Sequence, residues 1–247
     1  MASLPPDIPP VALVTGAAKR VGRTLALALA ADGWAVAVHY RASVAEAEAL
    51  VAEIAAGGGR AVALRADLAL ESEVLDLVPA AVAALGPLGL LVNNAGHFAR
   101  DTVLSATRAS WDAHVEPNLR APLVLSQAFA RQRPATAKGL IVNLLDQRVL
   151  KPGPTFISYG VAKAGLWALT QALALALAPQ VRVNGIGPGY MLPDAGQSEA
   201  DFRKWVERQP LRNGGTPEEA AAALRFIIAA PSMTGQIIAL DGGQHLA

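Results

Sequence analysis

Short apolar runs alternate with longer helical patterns from one end of the chain to the other. Val11–Thr15, Trp34–Tyr40, Ala61–Arg65, Leu88–Asn93, Leu140–Leu145, Val181–Ile186 and Gln236–Leu240 have the length and apolar content of buried strands. Between them the spacing predicts helices over Val21–Ala31, from Ser43 to about Ala56, over Glu71–Leu85, over Ala109–Arg131, over Thr155–Ala178 and from Thr216 to Ala230. Two starts carry cap signatures. Ser43 with Glu46 reads as a capping box, and Thr216-Pro217-Glu218-Glu219 combines an N-cap, a first-turn proline and a Glu that reaches back. Gly57-Gly58-Gly59 ends the second helix. Pro79 interrupts the third, and Pro117 with Pro122 make the fourth irregular.

Strands separated by helices of this length require right-handed crossovers. The expected fold is therefore α/β, a Rossmann-type doubly wound parallel sheet of about seven strands with helices on both faces. No linker or repeat divides the chain, so residues 1–247 read as a single dinucleotide-binding domain. One long non-periodic stretch, Tyr190 to Gly215, follows the carboxyl end of the sixth strand, where ligands bind in open α/β sheets. It reads as a lid over a substrate.

Composition narrows the function classes. Apolar residues make up 53% and charged residues 17%, which excludes a disordered chain. The 21 basic and 20 acidic residues nearly cancel, so no nucleic-acid footprint is expected. With no cysteine there is no disulfide, thiolate zinc site or cysteine nucleophile. Met1–Pro10 has no Lys or Arg and no apolar run, so no signal peptide is read there. Leu25–Ala31 and Ala172–Ala178 fall far short of the roughly 18–20 residues that span a bilayer. The expectation is a soluble, cytoplasmic protein with a small-molecule substrate and no membrane partner.

The chemistry is concentrated at strand ends. Thr15-Gly16-Ala17-Ala18-Lys19-Arg20-Val21-Gly22 joins the first strand to the first helix, as in a turn that holds a phosphate against a helix N-terminus. At the end of the second strand, where a site selective for NAD places an acid, the chain reads His39-Tyr40-Arg41-Ala42-Ser43. Arg41, with Arg20 from the Gly turn, suits the 2′-phosphate of NADP(H). Tyr159 and Lys163 lie one helical turn apart on one face. An ammonium there favours the phenolate, drawing the phenol from about 10 towards neutrality for acid–base work.

These residues, with Asn93-Asn94-Ala95-Gly96, Pro188-Gly189 and Asp241-Gly242-Gly243, resemble the short-chain dehydrogenase/reductase family along nearly the whole chain. The resemblance implies hydride transfer with NADP(H), Tyr159 as proton donor, Lys163 binding ribose hydroxyls and tuning Tyr159, and Asn118 holding a water in the proton relay. It implies cofactor contacts from Gly16, Arg20, Val21, Gly22, His39, Tyr40, Arg41, Ser43, Asp67 and Leu68. Further implied contacts are Asn94, Ala95, Gly96, Tyr159, Lys163, Pro188 and Gly189. It also implies a homotetramer with two-fold axes. The helix Thr155–Ala178 agrees, being apolar on nearly all faces and so requiring cover beyond one sheet.

Two departures define a branch. Arg20 replaces the family's middle glycine, and Asp146 stands where the family has its catalytic serine. Arg20, Asp146, Tyr159 and Lys163 together, with Phe98 after Gly96, resemble the pteridine reductase branch. That implies Asp146 as catalytic beside Tyr159, and a substrate pocket made by Arg20, Phe98, Asp146 and Tyr159. A flat ring stacks well between a phenyl face and a nicotinamide. The branch often has Ser at the position of Gly96. Gln147-Arg148 has no counterpart there, and His97 reads equally as a substrate contact or a surface residue. No metal site is expected. Alternatives are a short-chain carbonyl reductase or alcohol dehydrogenase, and an NADPH-binding regulatory protein without turnover.

Overall fold

A computed structural model describes residues 5–194 and 196–247. Seven parallel strands form one sheet: β1 (Val11–Val14), β2 (Ala35–Tyr40), β3 (Ala61–Arg65), β4 (Leu90–Asn93), β5 (Gly139–Leu144), β6 (Val181–Pro188) and β7 (Ile237–Leu240). Their order is β3-β2-β1-β4-β5-β6-β7. The order reverses between β1 and β4, which opens a crevice at the carboxyl edge of the sheet. The predicted doubly wound architecture is the observed one.

The helices are α1 (Arg20–Ala31), α2 (Val44–Ala56), α3 (Glu71–Leu85), α4 (Arg108–Val115), α5 (Ala121–Gln132), α6 (Ile157–Ala176), α7 (Glu199–Glu207) and α8 (Pro217–Ala229). Successive strand side chains point to opposite faces, so β1 divides its residues between two cores. Ala12 and Val14 pack with Leu25, Leu50 and Leu224 from α1, α2 and α8. Val11 and Leu13 pack with Leu77, Leu125 and Phe129 from α3 and α5 on the other face. Both faces are dry, so the strands read as continuous apolar runs without alternation.

Several local expectations change. The single helix Ala109–Arg131 is instead α4, a π-helical turn over Glu116–Arg120, and α5. Pro117 and Pro122 each lack an N–H, and the wider turn absorbs the missing bonds while turning Asn118 fully inward. Pro79, by contrast, leaves α3 continuous because it faces water on the helix's outer side. The Ser43–Glu46 capping box does not form. Glu46 is drawn to Lys19 of the Gly turn instead, 2.5 Å away. The Thr216–Glu219 box does form, with both reciprocal bonds present. The Tyr190–Gly215 stretch contains α7, none of whose residues is buried. Ala195, inside that stretch, lies outside the described residues.

Candidate active site

The Gly turn is held from three sides. Gly16 adopts a φ of +62°, open to glycine at no steric cost. A Cβ on Gly22 would run into the Gly16 carbonyl oxygen, so only glycine lets α1 seat against the turn. The Thr15 hydroxyl accepts the N–H groups of Asn94 and Ala95 at 2.9 and 3.0 Å, and Asn94 Nδ2 donates back to the Thr15 carbonyl at 2.8 Å. Beneath the turn, His39 is buried with both ring nitrogens engaged. Nδ1 accepts from Gly16 N–H at 3.0 Å, and Nε2 faces the Ala66 carbonyl at 3.0 Å. One nitrogen must accept while the other donates, so the ring is neutral. Burial pushes its pKa down to about 4.

Arg20 has a φ of +54°. This explains the glycine usual in the family at that position, since a side chain there costs about 1–2 kcal/mol. Arg20 Nη1 donates to the Pro193 carbonyl at 2.9 Å, tying the turn to the Tyr190–Gly215 stretch. The cleft over β1 and β2 has a volume of about 590 Å³. Gly16, Arg20, Val21, Gly22, His39, Tyr40, Arg41, Ser43, Asp67, Leu68, Asn94, Ala95 and Gly96 all line it. An elongated ligand with phosphates suits this cleft. The first turn of α1 presents unpaired N–H groups, Arg20 and Arg41 add positive charge, and β2 ends without an acid.

A second pocket of about 230 Å³ adjoins it, lined by Arg20, Phe98, Asp146, Tyr159, Pro188 and Gly189 among others. Tyr159 comes from α6, and Asp146 from the turn after β5. The Tyr159 hydroxyl donates to Asp146 Oδ2 at 2.9 Å, and Asp146 Oδ1 accepts the Arg148 N–H at 2.8 Å. Phe98 stands edge-on to Tyr159 with ring centroids 4.7 Å apart. Lys163 is buried behind them. Its Nζ donates to the Leu144 carbonyl at 2.5 Å and lies 5.9 Å from the centre of the Tyr159 ring.

The electrostatics reverse one expectation. Burial, and then the adjacent Asp146 carboxylate, push the Tyr159 phenol well above its ordinary value. Burial lowers Lys163 itself to about 8, and the net shift of the phenol is upward rather than towards neutrality. Burial also raises the Asp146 carboxyl. The proton therefore stays on the Tyr159 oxygen, which suits a donor.

Asn118 does not face the pocket. Its side chain clasps the backbone of His97, accepting from N–H at 2.8 Å and donating to C=O at 2.9 Å. A Cβ on Gly96 would come within 3.0 Å of Asn118 Oδ1, so a serine there requires Asn118 to give way. His97 lines the larger cleft, and burial, then the neighbouring His114, hold its pKa down.

Other contributors carry no sequence motif. Asp101 caps α6, accepting the Ser158 N–H at 3.2 Å and the Ser158 hydroxyl at 2.5 Å. The chain Asn93–Asn143–Thr170 crosses the core from β4 through β5 to α6, with side-chain bonds of 2.8 Å at each step. Gln244 enters the smaller pocket from the C-terminal turn, which Asp241 closes by accepting the His245 N–H at 2.9 Å. Only the proximity of Asp241 to a glycine pair hinted at that turn. Among the described residues, no group of three His, Cys, Asp or Glu could hold a metal ion, and no helix is long and apolar enough to cross a membrane.

A Gly-turn cleft at the sheet's switch point, opening onto a tyrosine and lysine from one helix, defines a dinucleotide-dependent oxidoreductase. Comparison with known proteins agrees. A family model described as enoyl-(acyl carrier protein) reductase matches residues 16–245. The chain belongs to the short-chain dehydrogenase/reductase family, whose members use NAD(P)H. It is 36% identical over 94% of its length to a 3-oxoacyl-[acyl-carrier-protein] reductase from Synechocystis, 96% of which is covered. Among solved structures it resembles FolM alternative dihydrofolate reductase 1 from Brucella canis, complexed with NADP. The TM-score is 0.93 and the identity 43%, covering 96% of this chain and 94% of that one. It also resembles a metagenomic blue fluorescent protein in complex with NADPH, with TM-score 0.88 and identity 31%, covering 95% and 97%.

Proposed function

We propose that this protein is an NADPH-dependent reductase of a pteridine-like ring, of the dihydropterin or dihydrofolate kind. The observation that carries this reading is the Asp146 carboxylate 2.9 Å from the Tyr159 hydroxyl, beside the Phe98 ring. When bound, the reduced nicotinamide supplies a hydride to a ring carbon. Tyr159 gives its proton to the adjacent ring nitrogen. Asp146, its carboxyl raised by burial, takes up a proton from solvent and passes it to the Tyr159 phenolate to restore the donor; as the carboxylate it accepts N–H groups from an amino-pyrimidine edge. Lys163 steadies the phenolate once it forms. Arg20 and Arg41 hold the 2′-phosphate end of the cofactor, and the Tyr190–Gly215 stretch covers the substrate. The likeness to a dihydrofolate reductase crystallised with NADP supports this reading.

A second reading, carbonyl reduction, is favoured by the relatives named 3-oxoacyl-[acyl-carrier-protein] reductase. The two separate at Asp146. A carboxylate beside a ketone repels the developing oxyanion, whereas beside a pterin it is an acceptor. Asp146→Ser is expected to lower turnover of dihydropterins at least about tenfold and to leave ketones unchanged or improved. NADPH oxidation against dihydropteridines, quinones and ketones checks this. Good activity on a ketone with none on any reduced pteridine overturns the pteridine reading, and no oxidation at all leaves a binding protein.

The same proposal includes a cytoplasmic homotetramer. On α6, Val161, Ala164, Ala168, Ala172 and Leu175 form an exposed apolar stripe that a second copy would cover.

A further inference from the structure

Arg148 is a cationic group in the smaller pocket that the proposed reaction leaves unused. It sits in a single 3-10 turn, Gln147–Val149, directly after Asp146. Its side chain is only 18% exposed. The guanidinium carbon lies over Phe156, 4.9 Å from the ring centre, and Phe156 stacks on Phe98 at 4.6 Å with the planes 7° apart. A cation over an aromatic face is held there by the ring's quadrupole, which restrains the side chain before any ligand arrives.

Among the described residues, no hydrogen bond uses a guanidinium N–H of Arg148. Asp146 Oδ1, 3.9 Å from Nε, forms an ion pair with it that is too long for a hydrogen bond. Both Asp146 oxygens are engaged, by Tyr159 and by the Arg148 backbone N–H. The other arginine of the pocket, Arg20, donates to the Pro193 carbonyl. Asp194, the pocket's second acid, follows that residue. A Cβ on Gly153 would lie 3.4 Å from Arg148 Nη1, which places the fork against the exposed Lys151–Pro154 loop. At about 230 Å³ the pocket is smaller than a drug-sized ligand needs. A ring fills it, and any longer substituent leaves at the rim.

We propose that Arg148 recognises a carboxylate carried on the side chain of the substrate, making acidic-tailed heterocycles the preferred class. The proposal rests on the reductase reading above and specifies its substrate. A carboxylate takes two parallel N–H bonds from a guanidinium fork, and this fork is shielded and, among the described residues, has its N–H groups free of hydrogen bonds. A neutral acyl thioester has no group for it.

The test compares folate, which carries carboxylates, with biopterin, which does not. Binding to the NADP-loaded protein is measured by calorimetry, and KM and kcat are measured for the dihydro forms. Arg148→Gln keeps the backbone N–H that Asp146 accepts. It is expected to weaken folate binding at least about tenfold, raise KM for dihydrofolate alike and leave biopterin within twofold, with Arg148→Lys recovering part of the loss. Equal weakening of both pterins would show that Arg148 merely braces Phe156 or Asp146, and no change in either would equally overturn the proposal. If the wild-type protein binds neither pterin, the pteridine reading fails by itself. Benzoylacetate and its ethyl ester then decide the anion site: a preference for the acid that Arg148→Gln abolishes sustains it, and no preference refutes it.

Discussion

The two halves of the crevice are built from different materials. The cleft over β1 and β2 is made of backbone: a Gly turn, a helix N-terminus and N–H groups fixed by Thr15, Asn94 and His39. The pocket beyond β5 and β6 draws on side chains from separate parts of the chain. Asp146 and Arg148 come from a short turn, Phe98 from the loop after β4, Tyr159 from α6 and Gln244 from the C-terminal turn. A backbone site admits little variation, because a Cβ on Gly22 has nowhere to go. A side-chain site is open to substitution, and Asp146 stands here where the family's usual serine is expected. On the proposed reading, the backbone-built half serves the cofactor and the side-chain half the substrate.

Tyr159→Phe makes the sharpest cut between them. It is expected to reduce turnover by about 10²–10⁴-fold, the range for one acid–base group, while NADPH binding measured by fluorescence stays within a few-fold. Comparable losses in both would show that the halves are coupled through α6. Arg41→Ala tests the other side. A charge-assisted phosphate contact is worth about 1.5–3 kcal/mol, so the NADPH-to-NADH efficiency ratio is expected to fall ten- to a hundredfold with the substrate KM unchanged. An unchanged ratio removes Arg41 from the phosphate site.

His39 gives the smallest effect and probes the foundation of the cofactor half. Its pKa is depressed from 6.5 to about 4 by burial, so the unfolded chain takes up a proton first as pH falls. The stability it contributes is present above about pH 6.5 and is lost as pH falls towards 4. By pH 5 the loss is about 2 kcal/mol relative to pH 7. Urea unfolding at both pH values checks this against His39→Gln, which keeps a donor and an acceptor but does not titrate. A pH dependence no steeper in the wild-type protein would mean that the ring is charged in the folded state.

Much of the first half was legible in advance. Strand and helix order, the Gly turn and the arginines in place of an acid are local features, and every residue assigned to the cofactor cleft between Gly16 and Gly96 lines it. The boundary errors were local as well. Glu46 had a stronger partner in Lys19 than in the Ser43 cap, and two prolines converted one long helix into two with a π turn between them. The second half was legible only through its resemblance to a family, and its electrostatics were misjudged even so. A tyrosine and lysine one turn apart suggest a lowered phenol. Burial and Asp146 raise it instead, because these are consequences of what packs around the pair.

The division has a physical reason. Periodicity and turn chemistry act between neighbours along the chain, so the sequence by itself determined the parallel sheet, the switch point and the position of the phosphate turn. Hydrogen bonds and stacking between residues far apart in sequence depend on the folded path. The Asp101 cap on α6, the Asn93–Asn143–Thr170 chain, the clasp of Asn118 on His97 and the stacking of Arg148, Phe156 and Phe98 were therefore decided only by the tertiary structure.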